Sequence, residues 1–327
     1  MMSLIIGGTG FVGTYLAGHL KSMGQEVAVT GAHAEKAAHR GFADVPVYDL
    51  DILDKEAVIG LLEKTKPDCI FHLAAQSSVA ASWKDPGRTI DVNVKGSTNL
   101  LDALRENGKH MRAVLIGSGE EYGRVRPEEI PVRESNQIRP GNIYAATKAC
   151  QNMIASIYAS AYDLDIVMVR AFNHIGPNQP SVFAVSDFCR QAAEIEAGKR
   201  EAVIKTGNLD VKRDFTDVRD VVRAYALLAE KGQAGETYNV GSGQAKSIRE
   251  MIQIILEKTM AAVRVEVDFN RLRPVDVPEI RADISKIQDA TGWEPEIALD
   301  QTVQDMLDYW RIIIGNPHAP RKWRHYK

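Results

Sequence analysis

Tyr144 and Lys148 stand four positions apart in the run Ile143-Tyr144-Ala145-Ala146-Thr147-Lys148. On a helix that spacing puts both side chains on one face, a turn apart. A lysine ammonium held beside a phenol favours the phenolate, so the pair is expected to lower the tyrosine pKa and to serve proton transfer near neutral pH. Alone, the pattern also fits an ordinary surface pair. It gains weight from a third hydroxyl, Ser118, at the end of the apolar run Ala113 to Ile116, in Ile116-Gly117-Ser118-Gly119-Glu120-Glu121-Tyr122-Gly123. A hydroxyl there can hydrogen-bond an oxygen whose charge changes during reaction.

A second pattern supplies a place for a cofactor. Gly7-Gly8-Thr9-Gly10-Phe11-Val12-Gly13 follows the apolar run Leu4 to Ile6 and opens a helical pattern from Phe11 to Leu20. Glycines permit a tight turn and close backbone approach, and the helix start offers unpaired N–H groups and a positive dipole end to a pyrophosphate. Gly7, Gly10, Phe11, Val12 and Gly13 are therefore candidate dinucleotide contacts. The same spacing can also be a tight strand–helix turn that binds nothing. The second strand ends Val29-Thr30-Gly31-Ala32-His33, and the first acid after it is Glu35. No carboxylate there repels a ribose 2′-phosphate. With His33 and Lys36 nearby, NADP(H) is favoured and NAD(H) remains possible.

These groups need a rigid frame. Short apolar runs at Leu4 to Ile6, Glu26 to Thr30, Val45 to Tyr48, Cys69 to Leu73, Ala113 to Ile116 and Ile166 to Arg170 alternate with helical patterns. That alternation predicts a parallel sheet with right-handed crossovers, an α/β doubly wound fold of Rossmann type. After Arg170 the alternation breaks into loops rich in Asn, Gly and Pro. Helices are expected at Val185 to Ala197, Val218 to Glu230, Ser247 to Lys258 and Leu299 to Ile313, with strands at Ala202 to Thr206 and Glu236 to Val240. The expected division is a cofactor domain over 1–170 and 212–242, interleaved with a smaller α/β substrate domain over 171–211 and 243–327.

Composition narrows the rest. The 327 residues are 45% hydrophobic, enough for one large core or two moderate ones. Forty basic against 43 acidic residues leave a net charge of −3, with no basic stripe suited to nucleic acid. Cys69, Cys150 and Cys189 have neither disulfide nor metal-ligand spacing, which fits a reducing cytoplasm. No histidine pair has metal-ligand spacing, so no metal is expected. No apolar run reaches the roughly 20 residues of a membrane span, and Ser3 to Ile6 is too short for a signal segment, so a soluble, unprocessed chain is expected. The basic stretch from Pro317 to Lys327 reads as a solvated end.

The glycine loop, Asp51-Ile52, Phe71-His72-Leu73-Ala74-Ala75, Asn93, Ser118, Tyr144 and Lys148 together resemble the extended short-chain dehydrogenases/reductases over essentially the whole chain. The resemblance implies an NAD(P)-dependent oxidoreductase. It adds Asp51, Ile52, Leu73, Ala74, Ala75 and Asn93 to the cofactor contacts, along with Tyr144 and Lys148 themselves. Five further stretches are similar to the GDP-mannose group of that family: Phe172-Asn173-His174-Ile175-Gly176-Pro177, Gly207-Asn208-Leu209, Arg213 to Asp220, Arg273-Pro274-Val275-Asp276-Val277 and Gly292-Trp293-Glu294-Pro295. Physically, Arg213 and Arg273 offer rigid forks of donors to a diphosphate, and Asp276 offers an acceptor for ribose hydroxyls. The Asn173 amide can serve sugar or phosphate oxygens without adding charge. Asn208 completes the expected substrate contacts. His174 and His72 read as packed, structural histidines.

What this group resemblance implies is hydride transfer at C4 of a GDP-linked deoxysugar. Reduction of the C4 ketone of a GDP-4-dehydro-6-deoxyhexose, in deoxysugar and cell-surface glycan synthesis, is the expectation. Glu120 matches a glutamate that serves as the C5 base in the dehydratases, but reductases carry it too. Gly119 stands where the dehydratase pattern has a hydroxyl residue, and the long cofactor loop of the dehydratases is missing after Thr30. Both departures lean toward a reductase. A GDP-mannose 4,6-dehydratase or epimerase is the alternative, and a non-catalytic dinucleotide sensor is a remote one that the intact Ser118, Tyr144 and Lys148 argue against. A homodimer is expected on the helices from about Asp91 to Arg105 and Tyr144 to Tyr162. Ala145, Ala146, Ala149, Met153, Ile154, Ala155, Ile157 and Ala159 make the second of these small or apolar on nearly every side.

Overall fold

The computed structural model describes residues 1–32, 44–107, 111–272 and 277–315. In chain order the strands are β1 (Met2–Ile6), β2 (Glu26–Gly31), β3 (Val47–Asp49), β4 (Cys69–His72), β5 (Arg112–Ile116), β6 (Ile166–Ala171) and β7 (Asn173–Ile175). They continue with β8 (Val203–Thr206), β9 (Lys212–Asp217), β10 (Thr237–Val240), β11 (Ala245–Ser247), β12 (Arg264–Val267) and β13 (Glu279–Ile280). The helices are α1 (Phe11–Ser22), α2 (Lys55–Thr65), α3 (Val79–Lys84), α4 (Pro86–Ile90), α5 (Gly96–Glu106) and α6 (Ile143–Tyr162). After them come α7 (Ala184–Glu196), α8 (Val218–Lys231), α9 (Ile248–Glu257), α10 (Ser285–Thr291) and α11 (Leu299–Ile313).

Seven parallel strands form the main sheet in the order β10-β6-β5-β4-β1-β2-β3. Period-two alternation sends successive residues of each strand to opposite helical layers. Ile5, Val114, Ile116, Val167 and Val169 pack with Leu16, Leu20, Val221, Tyr225 and Leu228 of α1 and α8. Leu4, Ile6, Ala113, Leu115 and Met168 pack with Leu62, Leu100, Leu104 and Ala155 of α2, α5 and α6 on the other face. This is the doubly wound Rossmann-type architecture expected. The chain order reverses between β1 and β4, and at such a switch point the loops leaving the strands diverge and open a crevice.

The smaller part gathers β7, β11 and β13 around β9, with β8 paired to β12 alongside. Its own core lies between α7, α9 and α11, around Phe188, Ala192, Met251, Ile255, Val303 and Leu307. Two pieces cross the expected domain division. Strand β9, assigned to the cofactor part, is the centre of the small sheet because its neighbours pair with it on both sides. Conversely Ile287 of α10 and Trp293 are buried in the core of the main sheet, where the indole Nε1 donates to the Asp220 carbonyl at 3.0 Å. Among the described residues, no helix is long and apolar enough to cross a membrane.

Candidate active site

A cleft of about 1280 Å³ runs along the carboxyl ends of β1, β4, β5 and β6 and under the smaller part. Its cofactor-side wall is largely backbone. Gly7 has φ +81°, and a Cβ on it would stand 2.6 Å from the Ala74 amide nitrogen, so the β1 and β4 loops touch only because residue 7 has no side chain. At Gly13 a Cβ would lie 2.4 Å from the Gly8 carbonyl oxygen; its absence lets α1 begin against the turn. Helix α1 starts with Gly10 as a bare N-cap and no acid in its first turn. Its first amides therefore lack side-chain acceptors and present a positive helix end to the cleft, a fit for a pyrophosphate. Phe11, Val12, Asp51, Ile52, Leu73, Ala74 and Ala75 complete this wall. Asp51 is exposed and its Oδ1 accepts from the Leu53 amide at 3.0 Å. His33 lies outside the described residues, as do Arg273 and Asp276 of the expected substrate contacts.

Asn93 departs from its expected role. It sits in a π-helical turn, Asp91–Lys95, fully buried and away from the cleft wall. Its Oδ1 accepts from the Gln76 amide at 2.8 Å, and its Nδ2 donates to the Gln76 carbonyl at 3.1 Å and to Thr147 Oγ1 at 2.9 Å. It thus ties the segment after β4 to α6, positioning the wall rather than forming it.

Helix α6 brings the proton-transfer candidates in. Asn142 caps it, its Oδ1 accepting from the Ala145 amide at 2.8 Å, and this fixes the turn from which Tyr144 and Lys148 project. Ser118 caps the next short helical turn, with Oγ accepting from the Glu120 amide at 3.2 Å. Tyr144, Lys148, Ser118 and Glu120 all line the cleft. The Ser118 hydroxyl hydrogen-bonds the Tyr144 phenol.

The electrostatics differ from the expectation for the pair. Burial pushes the Tyr144 phenol well above the usual tyrosine range; the Ser118 hydrogen bond opposes this, and the Glu120 and Glu121 charges reinforce it. Lys148 is driven down to about 8 by burial, against the pull of Glu121. Its Nζ donates to the Ile116 carbonyl at 2.7 Å and to Gln151 Oε1 at 3.0 Å, so two of its three donors are taken by β5 and α6. In this arrangement Tyr144 is a neutral proton donor.

The Glu120 carboxylate is tethered, its Oε2 accepting from Asn142 Nδ2 at 3.2 Å. Glu121, which the sequence did not single out, is wholly buried behind it. It accepts from the Ser118 amide at 2.8 Å and pairs with Arg170 at 3.0 Å. Burial raises its pKa against the attraction of Arg170. Thr30 was also missed: its Oγ1 accepts from the Gly7 amide at 3.1 Å and pins the glycine loop to β2.

Arg213, Asn173 and Asn208 lie on the substrate-side wall. Arg213 is buried on β9 and its Nη1 donates to the carbonyls of Lys212 and Val277, at 2.9 and 2.7 Å. Asn208 is exposed, with Oδ1 accepting from the Asp210 amide at 3.0 Å, and Asn173 is exposed at the start of β7.

The GDP-mannose 4,6 dehydratase family matches residues 4–306. The chain belongs to this family. A curated relative, the GDP-6-deoxy-D-mannose reductase of Pseudomonas aeruginosa, is 33% identical over 94% of this chain and 96% of its own length. The GDP-mannose 4,6 dehydratase of Cricetulus griseus is 28% identical over 97% of this chain and 94% of its own. Among solved structures, the NADPH complex of RMD from Pseudomonas aeruginosa superposes with a TM-score of 0.84 at 31% identity, covering 95% of this chain and 99% of that one. The extended short-chain dehydrogenase resemblance is thereby shown, and the chain is an oxidoreductase of the nucleotide-sugar class.

Within this family frame, two more cations on the substrate wall were not anticipated. Arg190 of α7 and Arg271 share the Asp187 carboxylate, at 2.5 and 2.7 Å. The i,i+3 spacing of Asp187 and Arg190 was visible in the sequence; the approach of Arg271 from 84 positions away was not. His72 is fully buried with Nε2 bonded to Ser97 Oγ at 2.8 Å, and its pKa is pushed down to about 3 by burial and the nearby Lys148. His174 stacks on Phe11 with ring centroids 6.3 Å apart.

Proposed function

We propose that the protein reduces the C4 ketone of GDP-4-dehydro-6-deoxy-D-mannose to the alcohol of GDP-6-deoxy-D-mannose, using NADPH. One observation carries the reading: Gly119, with no side chain, stands between Ser118 and Glu120 on the cleft wall, where the dehydratase pattern has a hydroxyl residue. Tyr144, beside Ser118, supplies the proton donor that ketone reduction needs at the C4 oxygen. The Pseudomonas aeruginosa reductase is also a nearer relative than the Cricetulus griseus dehydratase.

The Gly7 cradle and the free start of α1 fit a dinucleotide pyrophosphate. When bound, the reduced nicotinamide supplies a hydride to the sugar C4. Tyr144 gives its phenolic proton to the C4 oxygen as negative charge develops there, and Ser118 donates a hydrogen bond to the same oxygen. Lys148, with two of its three donors on β5 and Gln151, keeps the third for the cleft and stabilises the transient phenolate. Arg213 with Asn173 and Asn208 holds the nucleotide diphosphate and sugar, joined by Arg273 and Asp276.

Glu120 on the cleft wall favours a second reading, GDP-mannose 4,6-dehydration, in which it would take the C5 proton. Two measurements separate the readings. NADPH should be consumed in proportion to added GDP-4-dehydro-6-deoxy-D-mannose, and GDP-mannose alone should yield little keto sugar. Rapid keto-sugar formation from GDP-mannose, with no net NADPH consumption, would establish the dehydratase instead.

The protein acts, in this account, as a homodimer through α5 and α6. Ala145, Ala149, Ala155 and Ala159 face the core, and Met153 and Ile157, one turn apart on one side of α6, stand 59% and 60% exposed. A pair of large exposed apolar side chains on one helix face is the kind of surface a partner covers. Sedimentation at micromolar concentration should give twice the chain mass; a single-chain mass would reject the dimer.

A further inference from the structure

The wall between Ser118 and Glu120 is apolar for a specific reason. Gly119 has no side chain, and a Cβ there would lie 3.0–3.1 Å from three ring carbons of Phe172. The Phe172 ring therefore lies flat against the Gly119 backbone, in space that any side chain at 119 would claim. The ring is itself fixed. Its backbone amide donates to the Val240 carbonyl at 2.8 Å, and its side chain is 4% exposed in a cluster with Tyr122, Val132, Ile280 and Ala282. Tyr122, 6.2 Å away, turns its hydroxyl from the cleft, donating to Asn239 Oδ1 at 2.7 Å and accepting from Arg170 at 3.0 Å. The carboxylate of the next residue, Glu120, accepts from Asn142 Nδ2 at 3.2 Å. Gly119 and Phe172 both line the cleft, and Gly119 directly follows Ser118, whose hydroxyl meets the C4 oxygen.

We propose that Gly119 and the Phe172 ring form the specificity wall that receives the C6 methyl of a 6-deoxyhexose and rejects the C6 hydroxyl of the parent sugar. The proposal rests on the 4-ketoreductase reading above and names what selects the substrate within it. Of the two carbons that flank C4, C3 carries a hydroxyl and C5 carries the C6 group; an apolar wall beside the C4-oxygen site matches a methyl. A C6 hydroxyl pressed against the Gly119 backbone and the ring beside it would lose its water on a surface that returns no hydrogen bond. Discrimination of roughly ten- to hundredfold is what an apolar pocket achieves against an added hydroxyl.

Titration calorimetry without added cofactor tests this. The wild-type protein should bind GDP-6-deoxy-D-mannose at least about tenfold more tightly than GDP-D-mannose. Gly119→Ser puts a hydroxyl on the wall and displaces the ring, and should reduce that preference to within about threefold, chiefly by weakening the deoxy sugar. Should that variant fail to fold, as judged by its melting temperature, the wild-type ratio alone decides. Equal affinity of the wild type for the two sugars, or an unchanged preference in a folded Gly119→Ser protein, overturns the wall while leaving the reductase reading standing. Binding of neither sugar nucleotide, by a protein that binds NADPH in a separate titration, overturns the nucleotide-sugar reading and the wall with it.

Discussion

The two walls of the cleft are built differently. The cofactor wall is made of backbone: a left-handed Gly7 against Ala74, a Gly13 packed on Gly8, and the open amides of α1. The substrate wall is made of long side chains from separate segments, Arg213 on β9, Arg190 on α7 and Arg271 after β12, each engaged with carbonyls or carboxylates of the protein. A wall of backbone can be held only by particular residue types at fixed spacing, so it marks the sequence. A wall of side chains can be assembled from any positions the fold brings together, and it can be altered without disturbing the fold.

The junction between the walls should show the largest effect. Tyr144→Phe keeps both walls and removes only the acid, so turnover should fall about a hundred- to ten-thousandfold with NADPH affinity nearly unchanged by fluorescence titration. Retention of most activity would remove Tyr144 from the mechanism. The pH dependence sharpens the same point. Burial lowers Lys148 to about 8, so its ammonium is present below that pH and lost above it. The value of kcat/KM should hold up to about pH 8 and then decline roughly tenfold per unit, a limb absent if Lys148 stayed near its ordinary value.

On the substrate wall, Asp187→Asn should release Arg190 and Arg271 from their shared anchor. The expected result is a rise of about tenfold in KM for the sugar nucleotide with kcat and NADPH affinity retained. A fall in kcat alone would show that the cluster acts on chemistry instead of binding. The smallest effect is on cofactor choice. NADPH should exceed NADH several-fold in kcat/KM because the segment Val27 to Ala34 carries no carboxylate to repel the 2′-phosphate. Equal efficiency with NADH would break that half of the comparison.

The comparison also explains what could be read in advance. Alternating apolar runs specified the main sheet, since each parallel strand must bury both faces between helices. The Tyr144, Lys148 and Ser118 set was legible because helix periodicity and a strand end place it. The direction of the tyrosine shift was not. It follows first from how deeply the fold buries the phenol, with the Glu120 and Glu121 charges adding to it, and from a lysine that turns to a strand carbonyl. Asn93 was expected at the cofactor and instead clamps Gln76 to α6, because a π-helical turn aims it inward and nothing in the local pattern announces such a turn. The crossing of β9 and α10 between the two parts likewise reflects long-range pairing that composition does not record.

The central claim is that the hydride reaching the sugar C4 comes from exchangeable NADPH and leaves on the product. NADPH carrying deuterium at nicotinamide C4, prepared with the label on either face, tests it directly with GDP-4-dehydro-6-deoxy-D-mannose as substrate. The account predicts deuterium at C4 of the product sugar from one of the two labelled forms, with one oxidised cofactor released per sugar reduced. An unlabelled sugar from both forms, or a keto sugar made from GDP-mannose with the hydride moved internally, would contradict it.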